Sequence, residues 1–191
     1  MVLDRRGLLI ANSQGGIKYH WDYTQGMPTD WITTEVTGSS TITIVSNGLE
    51  LQTFGNWQKA YINLNADVLE LMFAMPFKVK LAFASPLRNY GTNCECWALF
   101  FGQPQGTFYN NSGGILNKYN ANNSTTRITS SFNKSTLTLC GDFANDTSGC
   151  EEESWQGAFG WSKKTPARLF FCHGNGACQI IIQSIDIEFE V

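Results

Sequence analysis

The carboxylates near the C-terminus come closest, in type and spacing, to a catalytic set. Asp186, Glu188 and Glu190 alternate with apolar residues, so in an extended strand they share one face. Retaining glycosidases hold two carboxyl groups about 5 Å apart, one as the nucleophile and one as the general acid and base. A solvated acidic face on a terminal strand explains the same pattern without catalysis, and we favour that interpretation.

The histidines and cysteines give no nucleophilic triad and no zinc site. His20 and His173 are the only histidines, and neither accompanies a Gly-x-Ser-x-Gly elbow. His173 lies in a cysteine-flanked segment, but Cys94 and Cys96 are spaced more tightly than zinc ligands usually are. The sequence therefore predicts that the protein is not an enzyme and binds no zinc.

Aromatic and amide side chains in two long polar segments are candidates for binding carbohydrate. Trp155 and Trp161 could stack on a sugar, because a loop-borne indole offers a flat amphipathic plane. Tyr109 and Asn110, in the Asn-rich segment 103–126, would complete such a platform. An equally open alternative is that both tryptophans close the ends of the core.

Calcium is the only cofactor for which the sequence offers ligands. Asp142 and Asp146 could supply oxygens, together with the acidic run Glu151–Glu153. Calcium needs six to eight converging oxygens, and no EF-hand spacing is present, so an acidic solvated loop is the simpler interpretation. We therefore predict no required cofactor, with calcium as an alternative.

The six cysteines leave disulfides and free thiols equally open. Two pairs flank turn segments and could close hairpins: Cys140 with Cys150, and Cys172 with Cys178. Cys94 and Cys96 would share one strand face and need other partners. No signal peptide is recognisable in Met1–Ile10, which favours free thiols unless the protein is exported or oxidised after assembly.

Length and composition indicate one folded domain. The chain has 191 residues, is 42% hydrophobic and contains no linker-like stretch, so we predict an N-terminal arm or first strand over 1–20 and a single domain over 21–191. The 13 basic and 16 acidic residues are scattered, which excludes a phosphate-binding patch for nucleic acid. No apolar run approaches the roughly 20 residues that cross a bilayer.

The elements that must position these side chains are predicted to be strands. Short apolar and alternating segments are separated by Gly, Asn and Pro, and intervening amphipathic helices are missing, which favours an antiparallel sandwich over a parallel sheet. Ser46, Asn47 and Gly48 predict a hairpin turn. The predicted strands are Trp31–Val36, Thr41–Val45, Leu49–Thr53, Trp57–Leu64, Phe77–Phe83, Cys96–Phe101, Thr126–Phe132, Thr136–Leu139, Arg168–Cys172, Gln179–Gln183 and Ile185–Val191.

One segment has a helical alternative. Asn65 could cap a helix over 65–75 and Pro76 would end it, but the apolar residues between them also suit an irregular segment covering the core. The sequence alone leaves both open.

Both ends of the chain resemble the concanavalin A-like lectin/glucanase superfamily. The resemblance rests on Trp21-Asp22-Tyr23-Thr24-Gln25-Gly26-Met27-Pro28 followed by Trp31, on Ser46-Asn47-Gly48-Leu49-Glu50-Leu51, and on Gln183-Ser184-Ile185-Asp186-Ile187-Glu188-Phe189. It implies an all-β, two-sheet antiparallel jelly-roll β-sandwich. The β-glucanases of the superfamily carry Glu-x-Asp-x-Glu, and Ser184 stands here where their nucleophile belongs, which argues against hydrolysis.

The superfamily includes lectins, glycosidases, adhesion modules and virion proteins, so the fold alone assigns no activity. Our first hypothesis is a non-catalytic virion structural or surface protein, such as a bacteriophage capsid-decoration or tail component, assembled in the host cytoplasm with other virion proteins or with itself. The alternative is a carbohydrate-binding module or lectin, located extracellularly and binding cell-surface glycans. A glycoside hydrolase ranks third.

Overall fold

Strands predominate in the computed structural model, which describes residues 16–27, 31–55, 58–89, 92–101, 124–128, 135–142, 147–148, 167–175 and 177–190. The elements of these residues, in chain order, are β1 (Ile17–Asp22), a 3-10 turn (Tyr23–Gln25), β2 (Ile32–Val36), β3 (Thr41–Val45), β4 (Gly48–Phe54), β5 (Gln58–Leu64), α1 (Ala66–Ala74), β6 (Phe77–Asn89), β7 (Thr92–Phe101), β8 (Ser124–Ile128), β9 (Thr136–Asp142), β10 (Thr147–Ser148), β11 (Ala167–Asn175) and β12 (Ala177–Phe189).

The strands form two antiparallel sheets. The seven-stranded sheet has the order β10-β9-β6-β12-β4-β3, with β1 also paired to β12, and the five-stranded sheet has the order β2-β5-β11-β7-β8. The chain passes repeatedly from one sheet to the other, for example from β2 to β3 and from β11 to β12. The predicted fold class, an all-β two-sheet antiparallel jelly-roll β-sandwich, is thereby confirmed.

The hydrophobic core lies between the two sheets. The seven-stranded sheet contributes Leu51 and Leu81, and the five-stranded sheet contributes Ile62 and Leu169, all of them completely buried. Each such side chain contributes about 1.5–3 kcal/mol of transfer free energy. Because side chains alternate along a strand, burying one set directs the other set to the outward face of its sheet.

The last strand, β12, is the centre of the seven-stranded sheet. It pairs with β6 along one side, and with β4 and then β1 along the other. The prediction of two separate strands, Gln179–Gln183 and Ile185–Val191, was wrong, because one strand of 13 residues spans both. Its register against β6 shifts between Ile182 and Ser184, and this bulge keeps the isoleucines on both sides of it facing the core.

The predicted hairpin joins β3 to β4. Val45 pairs with Gly48, so Ser46 and Asn47 form a two-residue turn. Gly48 has a φ of 145°, which side-chain-bearing residues rarely adopt. A Cβ at this position would also overlap the carbonyl oxygen of Ile182 in β12. Glycine is therefore required here by the backbone and by its neighbour.

The segment with two predicted alternatives is a helix. The Asn65 side chain accepts a hydrogen bond from the Val68 amide at 3.0 Å and caps α1, as its position in the sequence suggested. Val68 and Met72 are completely buried, so α1 also covers part of the core. Among the described residues no helix is both long enough and apolar enough to span a membrane.

Aromatic packing holds β1 against the sandwich. The Tyr19 ring lies 5.5 Å from that of Trp31 and 6.1 Å from that of Phe189, measured between ring centroids. The predicted boundary between an arm over 1–20 and a domain over 21–191 falls inside β1, which begins at Ile17 and pairs with β12 along its whole length. The division of the chain itself stays a prediction.

Candidate functional site

The pairing of β1 with β12 brings a lysine and a histidine beside two carboxylates on the outward face of the seven-stranded sheet. Lys18 lies opposite Glu188, and His20 lies opposite Asp186. In β12, the residues that alternate with Asp186 and Glu188 are buried in the core, so these four side chains project away from the core. The local alternation of apolar and polar residues sets which face they occupy, and the strand register sets which side chains meet.

Asp186 is the centre of the resulting contacts. Its Oδ1 lies 2.7 Å from His20 Nδ1 and 3.4 Å from Lys18 Nζ. Lys18 Nζ also donates to Glu188 Oε1 at 2.7 Å. The Asp186 side chain is 20% exposed and that of Glu188 is 50% exposed, so the network reaches from a sheltered carboxylate to an open one. The hydrogen bond to Glu188 raises the pKa of Lys18 and outweighs the opposing effect of its partial burial.

The neighbouring strand β6 adds two further cations. Lys80 lies opposite Asp186 and Lys78 lies opposite Glu188, both with exposed side chains. The face thus carries two rows, each with a basic side chain of β1, a carboxylate of β12 and a lysine of β6, which we call the charged ladder. Its members are Lys18, His20, Lys78, Lys80, Asp186 and Glu188.

Uncharged polar groups extend this face in both directions. Beyond β6, Thr138 of β9 lies opposite Lys80. Toward the other end of β12, Gln179 Nε2 donates to Glu50 Oε1 of β4 at 2.5 Å. Phe54, at the end of β4 on the same face, is 50% exposed. The outward face therefore offers donors, acceptors and one accessible aromatic ring.

The acids that first suggested glycosidase chemistry lie on one face, as their spacing predicted. The structure changes their setting, because β12 is a central strand and its acids contact cations rather than forming a purely acidic solvated surface. Ser184, which the resemblance alone aligns with the nucleophile of the β-glucanases, lies opposite Asp22 of β1 and Ala82 of β6. The position thus holds no carboxylate for a nucleophile.

Of the other predicted site residues, Asp142 lies among the residues that the structure describes. Trp155, Trp161, Tyr109 and Asn110 lie outside the described residues, as does the calcium candidate Asp146. Asp142 ends β9, opposite Thr147 of β10. These assignments stay predictions. In the described part of the chain, no three His, Cys, Asp or Glu side chains are placed to hold a metal ion.

Two of the six cysteines are not free thiols. Cys140 and Cys178 are both disulfide-bonded. Cys140 is level with Lys78 and Glu188, whereas Cys178 lies at the opposite end of β12, about 30 Å away. They therefore belong to different bridges, and at least four of the six cysteines are oxidised.

Sequence reasoning missed Lys18 and His20, although a usable signal was present. Ile17, Tyr19 and Trp21 alternate with them in the period of two that marks a strand. That signal predicts the strand but not its neighbour, because β1 and β12 are separated by most of the chain.

Comparison with known proteins supports the fold. No family model matches the chain, and no curated protein matches it. The structure of a protein of unknown function from Shewanella oneidensis MR-1 is similar with a TM-score of 0.53 and 12% sequence identity, covering 97% of this chain and 91% of that one. At this identity, the likeness shows a shared fold alone.

Two further structures are more distant. A low affinity xylan binding module from Roseburia intestinalis has a TM-score of 0.36 at 7% identity, covering 91% of this chain and 94% of that one. The binding domain of botulinum neurotoxin DC, solved with rat synaptotagmin II, has a TM-score of 0.42 at 12% identity, covering 90% of this chain and 45% of that one. At these scores neither structure bears on the function of this chain.

Proposed function

We propose that this protein is a non-catalytic glycan-binding module whose ligand lies on the outward face of the seven-stranded sheet. The observation that carries the proposal is the charged ladder. Its carboxylates and cations are held on one surface by sheet register and by their mutual contacts.

The chemistry of the ladder suits hydroxyl-rich ligands. A sugar hydroxyl both donates and accepts hydrogen bonds, so a surface that binds it needs acceptors and donors side by side. Asp186 and Glu188 supply charge-assisted acceptors, and the lysines supply donors. Because Lys18 and His20 already hold the carboxylates, little side-chain entropy is lost when a ligand arrives. Phe54 and the Gln179–Glu50 pair offer an extension for a longer chain.

The same contacts argue against hydrolysis. A retaining glycosidase needs one carboxylate free to attack and one acid free to deliver a proton. Asp186 contacts Lys18 and His20, and Glu188 contacts the same Lys18 ammonium. Ser184 occupies the position of the family nucleophile. We therefore propose binding without catalysis.

The hypothesis of a virion structural protein gains no specific support from the fold or from the comparisons, and the carbohydrate-binding alternative is the better supported of the two. We also favour an extracellular location over a virion assembled in the cytoplasm. The reason is the oxidised state of Cys140 and Cys178, since disulfides form and persist in oxidising compartments.

A glycan array followed by titration of the best ligand tests this proposal. We expect saturable binding that Asp186→Ala weakens by roughly tenfold or more, because a charge-assisted hydrogen bond contributes about 1.5–3 kcal/mol. Glu35→Ala is the matched control, since it removes an exposed strand carboxylate that contacts Asn63 in the five-stranded sheet. Thermal unfolding of each variant verifies the fold.

Failure to bind any glycan would overturn the proposed function. Binding that survives Asp186→Ala but is lost in the double variant Trp155→Ala with Trp161→Ala would keep the function and move its site to the polar segments predicted from the sequence.

A further inference from the structure

The edge strand β3 leaves apolar side chains of the core-facing row exposed to solvent. From this exposure and from the residues of β3 we infer that β3 pairs with β3 of a second copy of this chain, across a two-fold axis at Thr43. The seven-stranded sheets of the two copies would then be continuous. The inference does not depend on the proposed function.

β3 is the last strand of its sheet, and in the described part of the chain no strand lies beyond it. Its Ile42 and Ile44 lie opposite Leu51 and Leu49 of β4, which are completely buried and face the core. Residues directly opposite each other share a face of the sheet, so both isoleucines belong to the core-facing row. Ile44 is nevertheless 39% exposed, and Ile42 is only partly buried. The core is therefore open along this edge.

The five-stranded sheet is open on the same flank. Its edge strand β2 contacts β3, and Val36 of β2 lies opposite the completely buried Ala60 of β5. Val36 occupies a core-facing position and is 44% exposed. Edge strands of both sheets thus present apolar side chains that a neighbouring molecule would cover.

The unused main-chain groups of β3 belong to the same two isoleucines. Val45 and Gly48 flank a two-residue turn, and in such a hairpin the flanking residues are a hydrogen-bonded pair. Hydrogen-bonded pairs alternate with pairs that are not hydrogen-bonded, so Thr43 bonds to β4 whereas the N–H and C=O groups of Ile42 and Ile44 point away from it. These groups can accept another strand.

The residues of β3 are close to self-complementary about Thr43. The strand is Thr41-Ile42-Thr43-Ile44-Val45, so antiparallel pairing centred on Thr43 sets Ile42 opposite Ile44 of the second copy. Each of these isoleucine pairs would exchange both of its main-chain hydrogen bonds, because this register matches the outward N–H and C=O groups. The isoleucines would form one row between the two cores, and the threonines at the axis would pair directly.

Charge favours β3 over the other strands that end a sheet in the described part of the chain. Charged residues on an edge strand discourage pairing, and β2 carries Glu35 while β8 carries Arg127. β10 has only two residues, and β3 has no charged residue. Glu50, opposite Thr43 in β4, would lie three strand spacings from its copy, roughly 14 Å, which exceeds the Debye length of about 8 Å at physiological salt.

Sedimentation velocity of the full chain over a range of concentrations provides the test. We expect an equilibrium between monomer and dimer with a Kd in the range of roughly 1–100 µM, because pairing through one five-residue strand gives a smaller interface than that of a tight complex. The association should stop at the dimer, since a two-fold interface uses the same surface of both copies.

Thr43→Lys should weaken the dimer roughly tenfold or more, because it places two ammonium groups directly opposite each other at the axis. Thr43 is exposed, so the monomer should tolerate the change. Thr33→Lys is the matched control. It makes the same change at an exposed threonine of β2, opposite Asn63, and should leave the dimer unaltered.

Mixing two variants tests the position of the axis. Thr43→Lys and Thr43→Glu should each be largely monomeric alone, whereas an equimolar mixture should dimerise, because opposite charges then meet at the axis. Thermal unfolding of each variant verifies the fold, and the measurement on the unaltered protein stands even if a variant does not fold.

A monomer at every concentration up to about 500 µM, well above the expected Kd, would overturn the inference. So would association that continues beyond the dimer, a dimer that Thr43→Lys affects no more than Thr33→Lys does, or a mixture of the two Thr43 variants that stays monomeric. None of these results bears on glycan binding by the charged ladder, which the glycan array tests separately.

Discussion

At the scale of single residues, the contacts of Asp186 orient its carboxylate but add little to the stability of the fold. Ion pairs between exposed side chains contribute about 0–1 kcal/mol and are weakened by salt. The Lys18 and Glu188 side chains are 35% and 50% exposed, so their pair belongs to this class. What the contacts do provide is a fixed direction for each carboxylate, which a binding surface needs more than it needs stability.

Tyr23 offers a residue-scale prediction about stability. Its side chain is completely buried, and its hydroxyl has no hydrogen-bond partner among the described residues. An unsatisfied buried hydroxyl is costly, so Tyr23→Phe should leave the free energy of unfolding at pH 7 unchanged or raise it by up to about 1 kcal/mol. Urea denaturation measures the difference. A clear loss of stability would show that the hydroxyl has a partner and would contradict the prediction.

The same substitution should flatten the alkaline limb of the stability curve. Burial raises the pKa of Tyr23 far above its ordinary range. In the unfolded chain a phenol titrates near pH 10, so above about pH 10 the unfolded state releases a proton that the folded state retains, and stability falls as pH rises. Tyr23→Phe removes this contribution. Burial also raises the pKa of Tyr19, so Tyr19→Phe should remove a smaller part.

At the scale of elements, the position of the ladder depends on how β1 meets β12. β1 is held from the inward side by the Tyr19, Trp31 and Phe189 rings and from the outward side by Lys18 and His20. The bulge in β12 near Ile182 is the second requirement. Ile180 and Ile185 are five positions apart, so in a regular strand they would lie on opposite faces. The bulge keeps both of them on the core face and thereby directs Asp186 outward.

The β3–β4 hairpin gives a prediction at this scale. Gly48→Ala should lower the free energy of unfolding by about 2 kcal/mol or more, because alanine is strained at a φ of 145° and its Cβ would overlap the Ile182 carbonyl oxygen. Ser46→Ala, in the exposed turn of the same hairpin, is the control and should change stability little. Equal effects of the two substitutions would show that the close approach of β4 to β12 is not needed.

At the scale of the whole molecule, the disulfides can be counted. Because Cys140 and Cys178 lie in separate bridges, the unfolded but unreduced protein should expose at most two of its six thiols to iodoacetamide. Mass spectrometry of the alkylated protein reads this number directly, and full reduction should make all six reactive. Three or more reactive thiols before reduction would contradict the structure.

Reduction should also destabilise the protein, by about 2–4 kcal/mol for each bridge, since a cross-link limits the freedom of the unfolded chain. Peptide mapping would then test whether Cys140 joins Cys150 and Cys178 joins Cys172, as the positions of these pairs around turns predict. The buried side chain of Cys178 faces the five-stranded sheet, to which β11 and its Cys172 belong.

Sequence alone determined the class of the fold and the faces of its strands, because both follow from local alternation. The period of two in 77–83 and 185–189 predicts which residues are buried, and the structure buries Val79, Leu81, Ile185 and Ile187 accordingly. The ends of α1 are likewise set locally. Asn65 caps its first turn, and Pro76 follows its last turn, where it cannot continue the helix.

Only the tertiary structure decided that Lys18 and His20 meet Asp186 and Glu188, and that Lys78 and Lys80 complete the rows. More than 160 residues separate the members of the β1–β12 pair, and no local pattern specifies which strands become neighbours or in what register. Pairing is set by the closure of the whole core, in which aromatic packing and the bulge in β12 both take part. The acids were visible in the sequence, but the cations that define their role come from strands elsewhere in the chain.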